Sequence, residues 1–514
     1  MEQKRRTGSI MLMGTSSHVG KSILTTALCR IFRQDGRSVV PFKAQNMALN
    51  SFVTREGLEM GRAQVAQAEA AGLRPVTDMN PVLLKPTGEA QSQVILDGRP
   101  VGTMSARDYH LHYKEQAFAS VKAALGRLQR DYDTLVIEGA GSPAEVNLRD
   151  GDIVNMRVAR YLQAPVLLVA DIDRGGCLAA LVGTLELLEP EERALVKGLV
   201  INKFRGDVSL FTPAVDFLEK KTGKPVLGII PYIPQLGIED EDSVSLEEKD
   251  NREGKAADIH IAVIQLPKLS NFTDFDALAA EPDVSLNYVQ TAEELSQGAW
   301  DLIILPGSKS TNEDRLWLRE QGIVKSLRIR VDAGTPLIGI CGGYQMLGEE
   351  LRDPLHIESS HERVQGLGYL PMRTTFSAEK LTVQVKADCI GLPFMGQELQ
   401  AKDMTGYEIH AGETVFTEPV IHPFAVLQRD GQDTADGAVR GHVSGTYIHG
   451  LFDHDGFRRD LLNALRRHRG LPVLPQQRSR RQEKEQAYDH LAAVVREHLD
   501  MTKLAAILQA GGSF

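Results

Sequence analysis

Hydrophobic and polar positions fall into two textures along the first half of the chain. Short apolar runs occupy residues 9–13, 38–42, 134–138, 166–170, 198–202 and 226–230. Between them lie longer amphipathic stretches, such as 20–34 and 113–129, whose apolar positions recur at helical spacing. Unbroken apolar runs separated by helices predict parallel strands buried on both faces of an α/β sheet. Ligands of such sheets bind outside the carboxyl ends of the strands. The alternation restarts with runs at 259–265, 302–306 and 337–340, which predicts a second α/β domain. Tyr488, Leu491, Val494, Val495 and Leu499 carry helical periodicity into the tail.

Between the two patterned regions the composition changes. Glu239, Asp240, Glu241, Asp242, Glu247, Glu248, Asp250 and Glu253 crowd a stretch with few apolar anchors, which reads as a solvated linker. The expected division is a first domain over 1–237, an acidic linker over 238–257, a second domain over 258–457 and a helical extension over 458–514. A length of 514 residues suits more than one core. No internal repeat is present.

Composition removes several classes of function. A hydrophobic share of 42% and a charged share of 25% are those of an ordinary globular chain. A net charge of −10 argues against general nucleic-acid binding, and it requires local cations for any anionic substrate. Cys29, Cys177, Cys341 and Cys389 form no paired spacing, so neither a disulfide framework nor a zinc site is expected. No apolar run is long enough for a membrane span, and the basic start leads into a strand rather than a signal peptide. The cytoplasm is the expected compartment. Nothing in the sequence excludes a homo-oligomer.

The first run leads into Gly14-Thr15-Ser16-Ser17-His18-Val19-Gly20-Lys21-Ser22, followed by a helix. Glycines permit a tight loop, and exposed amides with the helix N-terminus cradle phosphate. Lys21 would reach the outer phosphates, and Ser22 would ligate magnesium. The fourth run ends in Asp171, with Asp173 just beyond, and the third in Glu138-Gly139-Ala140-Gly141. An acid at a strand's carboxyl end beside glycines makes Glu138 the candidate magnesium ligand. Asn202, closing the fifth run, is the candidate reader of the nucleotide base. Lys43, Gln45, Asn46, Lys85 and Arg174 follow strands or sit in loops of this domain, and are candidates for holding substrate carboxylates. His110 and His112 stand two apart, so they share no helix face and read as structural.

In the second domain the run 337–340 meets Ile340-Cys341-Gly342-Gly343-Tyr344-Gln345. Small residues around a nucleophile permit the strained strand-to-helix turn that projects it. A helix N-terminus stabilises negative charge on sulfur, and amides after the cysteine can hold an oxyanion. A thiol nucleophile needs a base. Two histidines qualify, His449 in Thr446-Tyr447-Ile448-His449-Gly450 and His410 in Gly406-Tyr407-Glu408-Ile409-His410, and spacing does not choose between them.

These motifs carry resemblances. The N-terminal loop, with five residues between its glycines, resembles the dethiobiotin synthetase-like branch of phosphate-loop enzymes. These phosphorylate a carboxylate with ATP and let nitrogen attack the acyl phosphate. That branch has an acidic metal ligand after its second strand; here the region reads Lys43-Ala44-Gln45-Asn46-Met47-Ala48-Leu49-Asn50. Residues from about 259 to 455 resemble a class I glutamine amidotransferase domain of flavodoxin-like fold. The resemblance implies Cys341 as nucleophile, His449 as base, and Gly307 (in Leu305-Pro306-Gly307-Ser308) with Gly342 as the oxyanion site. Other members follow the histidine with Pro-Glu; here Gly450-Leu451 stands instead, so the third member of the triad is absent or comes from elsewhere.

Taken together, a phosphate-loop synthetase followed by a glutaminase resembles the corrin-amidating enzymes of cobalamin biosynthesis. The Pro41–Ser51 stretch, Asp171-Ile172-Asp173-Arg174 and Tyr407-Glu408-Ile409-His410 resemble the cobyric acid synthase branch more than the a,c-diamide synthase. The resemblance implies ATP and Mg2+ as cofactors, and glutamine and a corrin polycarboxylate as partners. It also implies four amidations, at the b, d, e and g side chains of adenosylcobyrinic acid a,c-diamide. A partitioning-type ATPase would share the phosphate loop but would have no use for Cys341 or His449.

Overall fold

The computed structural model describes residues 8–87, 91–234, 236–238, 257–419, 422–429 and 432–510. The acidic stretch assigned to a linker falls almost wholly outside them. The chain forms two compact units, each discontinuous in sequence. One gathers Met1–Ala48, Glu59–Glu239 and Gln482–Phe514; the other gathers Leu49–Leu58 and Asp240–Arg481. Among the described residues no helix is long and apolar enough to cross a membrane.

The N-terminal unit is built on six strands, β1 (Gly8–Gly14), β2 (Val39–Phe42), β3 (Thr134–Glu138), β4 (Val166–Asp171), β5 (Val196–Phe204) and β6 (Val226–Pro231). They lie in the order β6-β5-β4-β1-β3-β2, and every pairing is parallel. β2, β3 and β4 are buried at every position, which is why they read as unbroken apolar runs. A four-stranded sheet over residues 45–105 accompanies this main sheet.

The tail completes this unit's core. Tyr488, Leu491, Ala492 and Val495 of helix Arg480–His498 join Ile10, Leu12, Leu28 and Val136 in one apolar cluster, as do Leu504 and Leu508 of helix Met501–Ala510. Leu499 bridges Gly228 of β6, and the Asp500 amide donates to the Leu227 carbonyl at 2.7 Å. Gly228 is required there, because a Cβ would meet the His498 carbonyl at 2.4 Å. Ion pairs secure the contact from outside: Arg30 with Glu485 and Asp489, and Lys484 with Glu69.

The C-terminal unit carries a second sheet of the same kind. Its strands β7 (Ile259–Ile264), β8 (Val284–Val289), β9 (Leu302–Leu305) and β10 (Leu337–Ile340) are joined by β13 (Ala438–Arg440) and β14 (Val443–Thr446) in the order β8-β7-β9-β10-β14-β13. Only β13 runs antiparallel. A long hairpin of β11 (Met372–Phe394) and β12 (Gln397–Phe416) anchors a further sheet. Helix Asp455–His468 is tied to this unit by buried charge, with Arg458 on Glu281, and Arg459 and Arg466 on Asp283. The architecture is thus two α/β domains with a helical tail.

Candidate active site

In the N-terminal unit the loop after β1 leads into helix α1 (Lys21–Gln34), with Gly20 in the left-handed region at φ 94°. The Thr15 amide donates to Val169 of the neighbouring strand at 2.9 Å, which fixes the loop's entry. Nζ of Lys21 bonds the carbonyls of Ser16 and Gly141 at 3.0 and 3.2 Å, so the lysine curls over its own loop. A Cβ on Gly14 would meet the Ser16 carbonyl oxygen at 2.7 Å, which explains glycine there.

Glu138 ends β3 fully buried and collects three donors. Ser22 Oγ and Lys43 Nζ reach Oε1 at 2.8 and 2.9 Å, and Gln67 Nε2 reaches Oε2 at 2.6 Å. The structure therefore brings Ser22, Lys43 and Glu138 to one point beside the phosphate loop. Gln67 was not among the sequence candidates, since a helical glutamine far along the chain gives no signal. Among the described residues no group of three or more His, Cys, Asp or Glu gathers as a metal site.

The other candidates in this unit are engaged differently. Asn202 Nδ2 donates to the Val19 carbonyl at 2.8 Å, so its amide holds the phosphate loop. Lys85 pairs with buried Glu59 at 2.7 Å, Gln45 accepts from Tyr109 at 2.6 Å, and Asn46 donates to Gln64 at 3.1 Å. Arg174 is exposed, beyond β4. A cavity of about 490 Å³ opens past β5 and β6, lined by Phe204, Arg205, Pro231 and Tyr232 among others. The Arg205 guanidinium stands 3.5 Å from the Tyr232 ring centre.

In the C-terminal unit β10 lies inside the sheet and ends at Cys341, whose φ of 51° and ψ of −108° are strained for a side-chain-bearing residue. Its amide is fixed by the Thr446 carbonyl at 2.8 Å. A short helix, Gly342–Met346, follows. Gly343 admits the turn, because a Cβ there would overlap the Leu305 carbonyl at 1.9 Å. Gly342 faces the backbone after Gly307: its Cβ would lie 2.8 Å from the Ser308 amide nitrogen. A Cβ on Gly307 would lie 3.3 Å from His449 Cε1. Cys341, Gly307, Gly342 and His449 therefore converge.

His449 is 1% exposed and bonds Asp274 through Nδ1 at 2.7 Å, while the other oxygen of Asp274 accepts from the Gly450 amide at 3.0 Å. Burial alone would lower this histidine's pKa. The charges of Asp274 and Cys341, and hydrogen bonds to both, overcome burial and raise it. His410 is different. Burial pulls its pKa down to about 4, its Nδ1 lies 3.1 Å from the Gly412 carbonyl, and its ring stacks on Tyr447 at 3.8 Å. One histidine is thus held toward its charged form beside Cys341 and a carboxylate, and the other toward its neutral form against an aromatic ring. Asp274 was missed in the sequence. It sits in Asn271-Phe272-Thr273-Asp274, and the usable signal is an acid shortly beyond the carboxyl end of the strand at 259–265.

A cavity of about 430 Å³ in this unit is lined by Lys380, Glu408, His410, Arg429 and Tyr447 among others. Its wall adjoins the thiol, since Cys341 Sγ lies 3.6 Å from the carbonyl of Ile409.

Comparisons with known proteins match the chain in two segments. Residues 10–244 match the description "CobQ/CobB/MinD/ParA nucleotide binding domain", and residues 260–457 match "CobB/CobQ-like glutamine amidotransferase domain". A cobyric acid synthase of Moorella thermoacetica is 54% identical over 97% of this chain and 97% of its own. Those of Pelotomaculum thermopropionicum and Desulfitobacterium hafniense are 54% and 51% identical over 98% and 99% of this chain, and 97% and 99% of their own. The chain belongs to the cobyric acid synthase family. It is therefore a glutamine-dependent amidotransferase ligase. Lys21, Lys43 and Glu138 fall in the nucleotide-binding match, and Cys341, Asp274 and His449 in the amidotransferase match.

Proposed function

We propose that the chain converts adenosylcobyrinic acid a,c-diamide to adenosylcobyric acid by amidating the b, d, e and g carboxylates. Each round would consume one ATP and one glutamine. The observation that carries this reading is the alignment of Cys341, His449 and Asp274 at a strained turn, in a chain that also holds a phosphate loop closed on Lys21.

In the C-terminal unit, Cys341 Sγ attacks the side-chain carboxamide carbon of glutamine, and the amides around Gly307 and Gly342 receive the oxyanion. His449, oriented by Asp274, passes a proton to the nitrogen that leaves as ammonia. Water then cleaves the thioester to glutamate and restores the thiol. The 430 Å³ cavity is lined by carboxylates and cations that suit the ammonium and carboxylate of glutamine, among them Glu413 and Lys380 and the ion pair of Glu408 with Arg429.

In the N-terminal unit, a corrin carboxylate attacks the γ-phosphorus of ATP, releasing ADP and leaving an acyl phosphate. Ammonia then attacks the acyl carbon, and phosphate departs. Lys21 and the loop amides beyond Thr15 would hold the phosphates, and the cavity lined by Phe204 and Tyr232 suits the base. The Ser22 hydroxyl and Glu138 carboxylate share one point, which fits Mg2+, an ion that takes one or two carboxylates and fills its remaining positions with phosphate oxygens and waters. When bound, it would neutralise charge on the transferring phosphate. Lys43 stands on the same oxygen and is placed to attract the acid substrate toward that phosphate.

The test is incubation of the a,c-diamide, and separately of cobyrinic acid, with ATP, Mg2+ and glutamine, counting amides by mass. Four added amides on the a,c-diamide support the reading. Activity confined to cobyrinic acid would assign the chain to the a,c-diamide-forming reaction instead.

A further inference from the structure

Residues Leu49–Leu58 lie, by sequence, inside the N-terminal half, yet they are part of the compact C-terminal unit. They are well buried there: Asn50 and Ser51 are each 1% exposed, and Val53 and Thr54 are fully covered. Val53 packs with Tyr407 and Ile409, and Gln384 donates to the Val53 carbonyl at 2.9 Å.

Three polar contacts at the start of this segment lead toward His449. The Phe272 amide donates to Asn50 Oδ1 at 3.1 Å. The Ser51 amide donates to Asn271 Oδ1 at 2.9 Å, and the Tyr407 hydroxyl donates to the Ser51 carbonyl at 3.1 Å. Each of these partners shapes the base's surroundings. Asn271 Nδ2 lies 3.4 Å from both ring nitrogens of His449. Asn271 also starts the single turn Phe272–Phe275 that carries Asp274, and its φ of 54° is held in the left-handed region. The Tyr407 ring stacks on His449 at 5.2 Å, and the two backbones exchange hydrogen bonds.

We infer that Asn50 and Ser51 are positioning residues for the glutaminase base: a loop from the N-terminal half of the sequence fixes Asn271, the Asp274 turn and Tyr407, and through them His449. This inference rests on reading Cys341 and His449 as a glutaminase. Asn50 fixes the turn with a side-chain acceptor, while Ser51 does so through its backbone, so Asn50 is the residue to change.

The experiment uses the full-length chain and measures glutamate release. Asn50→Ala removes the acceptor for the Phe272 amide, and Asn271→Gly removes the amide facing His449 while keeping the left-handed backbone accessible. Both should lower kcat for glutamine about tenfold to a hundredfold, the size expected when a catalytic group is held loosely, with KM nearly unchanged. Asn50→Asp keeps an acceptor oxygen and should recover most of the loss. Ammonia-dependent amidation should stay at the wild-type rate in all three. Wild-type kcat in Asn50→Ala, or loss of ammonia-dependent activity in parallel, would overturn the inference. Glutamine hydrolysis that persists in Cys341→Ala would instead overturn the underlying glutaminase reading.

Discussion

Asp274 Oδ2 sits 2.7 Å from Nδ1 of His449, and the two residues are 175 positions apart in the chain. Where other class I domains take the orienting acid from the residues just after the histidine, this chain brings it from a turn beyond its first sheet strand. Asp274→Asn leaves the shape but removes the charge that keeps the imidazole protonated and oriented. Glutamine hydrolysis should fall about a hundredfold or more, as when the acid of a nucleophile–histidine–acid triad is neutralised. Ammonia-dependent amidation in the same variant should match wild type. Unchanged glutamate release would remove Asp274 from the mechanism.

Cys341→Ala should use no glutamine at all. With ammonium salts at high pH, where free ammonia is plentiful, it should still amidate the corrin acid, since the chemistry proposed for the N-terminal unit needs only the nucleophile. Parallel loss of both activities in a normally folded protein would show that the two units do not divide the labour as proposed.

Glu138 should matter to synthesis by either nitrogen donor. Glu138→Gln removes one charge of the buried Lys43–Glu138 pair, and breaking a buried pair costs about 3–5 kcal/mol. Calorimetry should show a lowered N-terminal transition, and ATP-dependent amidation should be lost with ammonia as well as with glutamine. Glutamine hydrolysis in the variant, measured separately, should persist.

Burial of Asp314 makes the stability of the C-terminal unit depend on pH. Burial raises its pKa to about 7, against hydrogen bonds from Ser308 and Lys268. An unfolded aspartate titrates near 3.9 (approximately), so between about pH 4 and 7 the folded state binds more protons than the unfolded. This group's contribution is therefore fully present below the unfolded pKa and is lost as pH rises through about 7. Asp314→Asn removes that slope, so the variant should gain on wild type as pH rises from about 4 to about 7. Both tryptophans of the chain, Trp300 and Trp317, pack against the C-terminal core, so their fluorescence follows that unit during denaturation. A stability difference that does not vary with pH would refute the assignment.

Gly228→Ala tests the tail's seat on β6. The new methyl would collide with backbone, which cannot rotate away, and overpacking of this kind costs about 1–3 kcal/mol. The N-terminal transition should drop by several degrees while tryptophan-monitored unfolding stays put.

Much of this architecture was legible because its central strands are covered on both faces. β2, β3, β4 and β10 carry no exposed position, so their sequences show unbroken apolar runs. The edge strand β8 escaped notice because Ser285, Leu286, Asn287 and Tyr288 are only partly covered and dilute the pattern. The long hairpin of β11 and β12 was hidden for a related reason: many of its positions are exposed or only partly covered, and polar residues there break up the apolar pattern. The turn at Cys341 announced itself through glycines that only a crowded backbone requires. Gln67 and the loop at Asn50 gave no such notice, since their partners lie at no fixed sequence distance, and Asp274 offered only its place beyond the end of a strand.

The interleaving of the two compact units limits how this enzyme could ever be divided into separately encoded subunits. The polypeptide passes from one unit to the other four times, at Ala48, Leu58, Glu239 and Arg481. Fission at the acidic stretch would strand a short loop in one product and a pair of helices in the other. A workable heterodimer would have to transplant both, or evolve substitutes, before either half regained its interior.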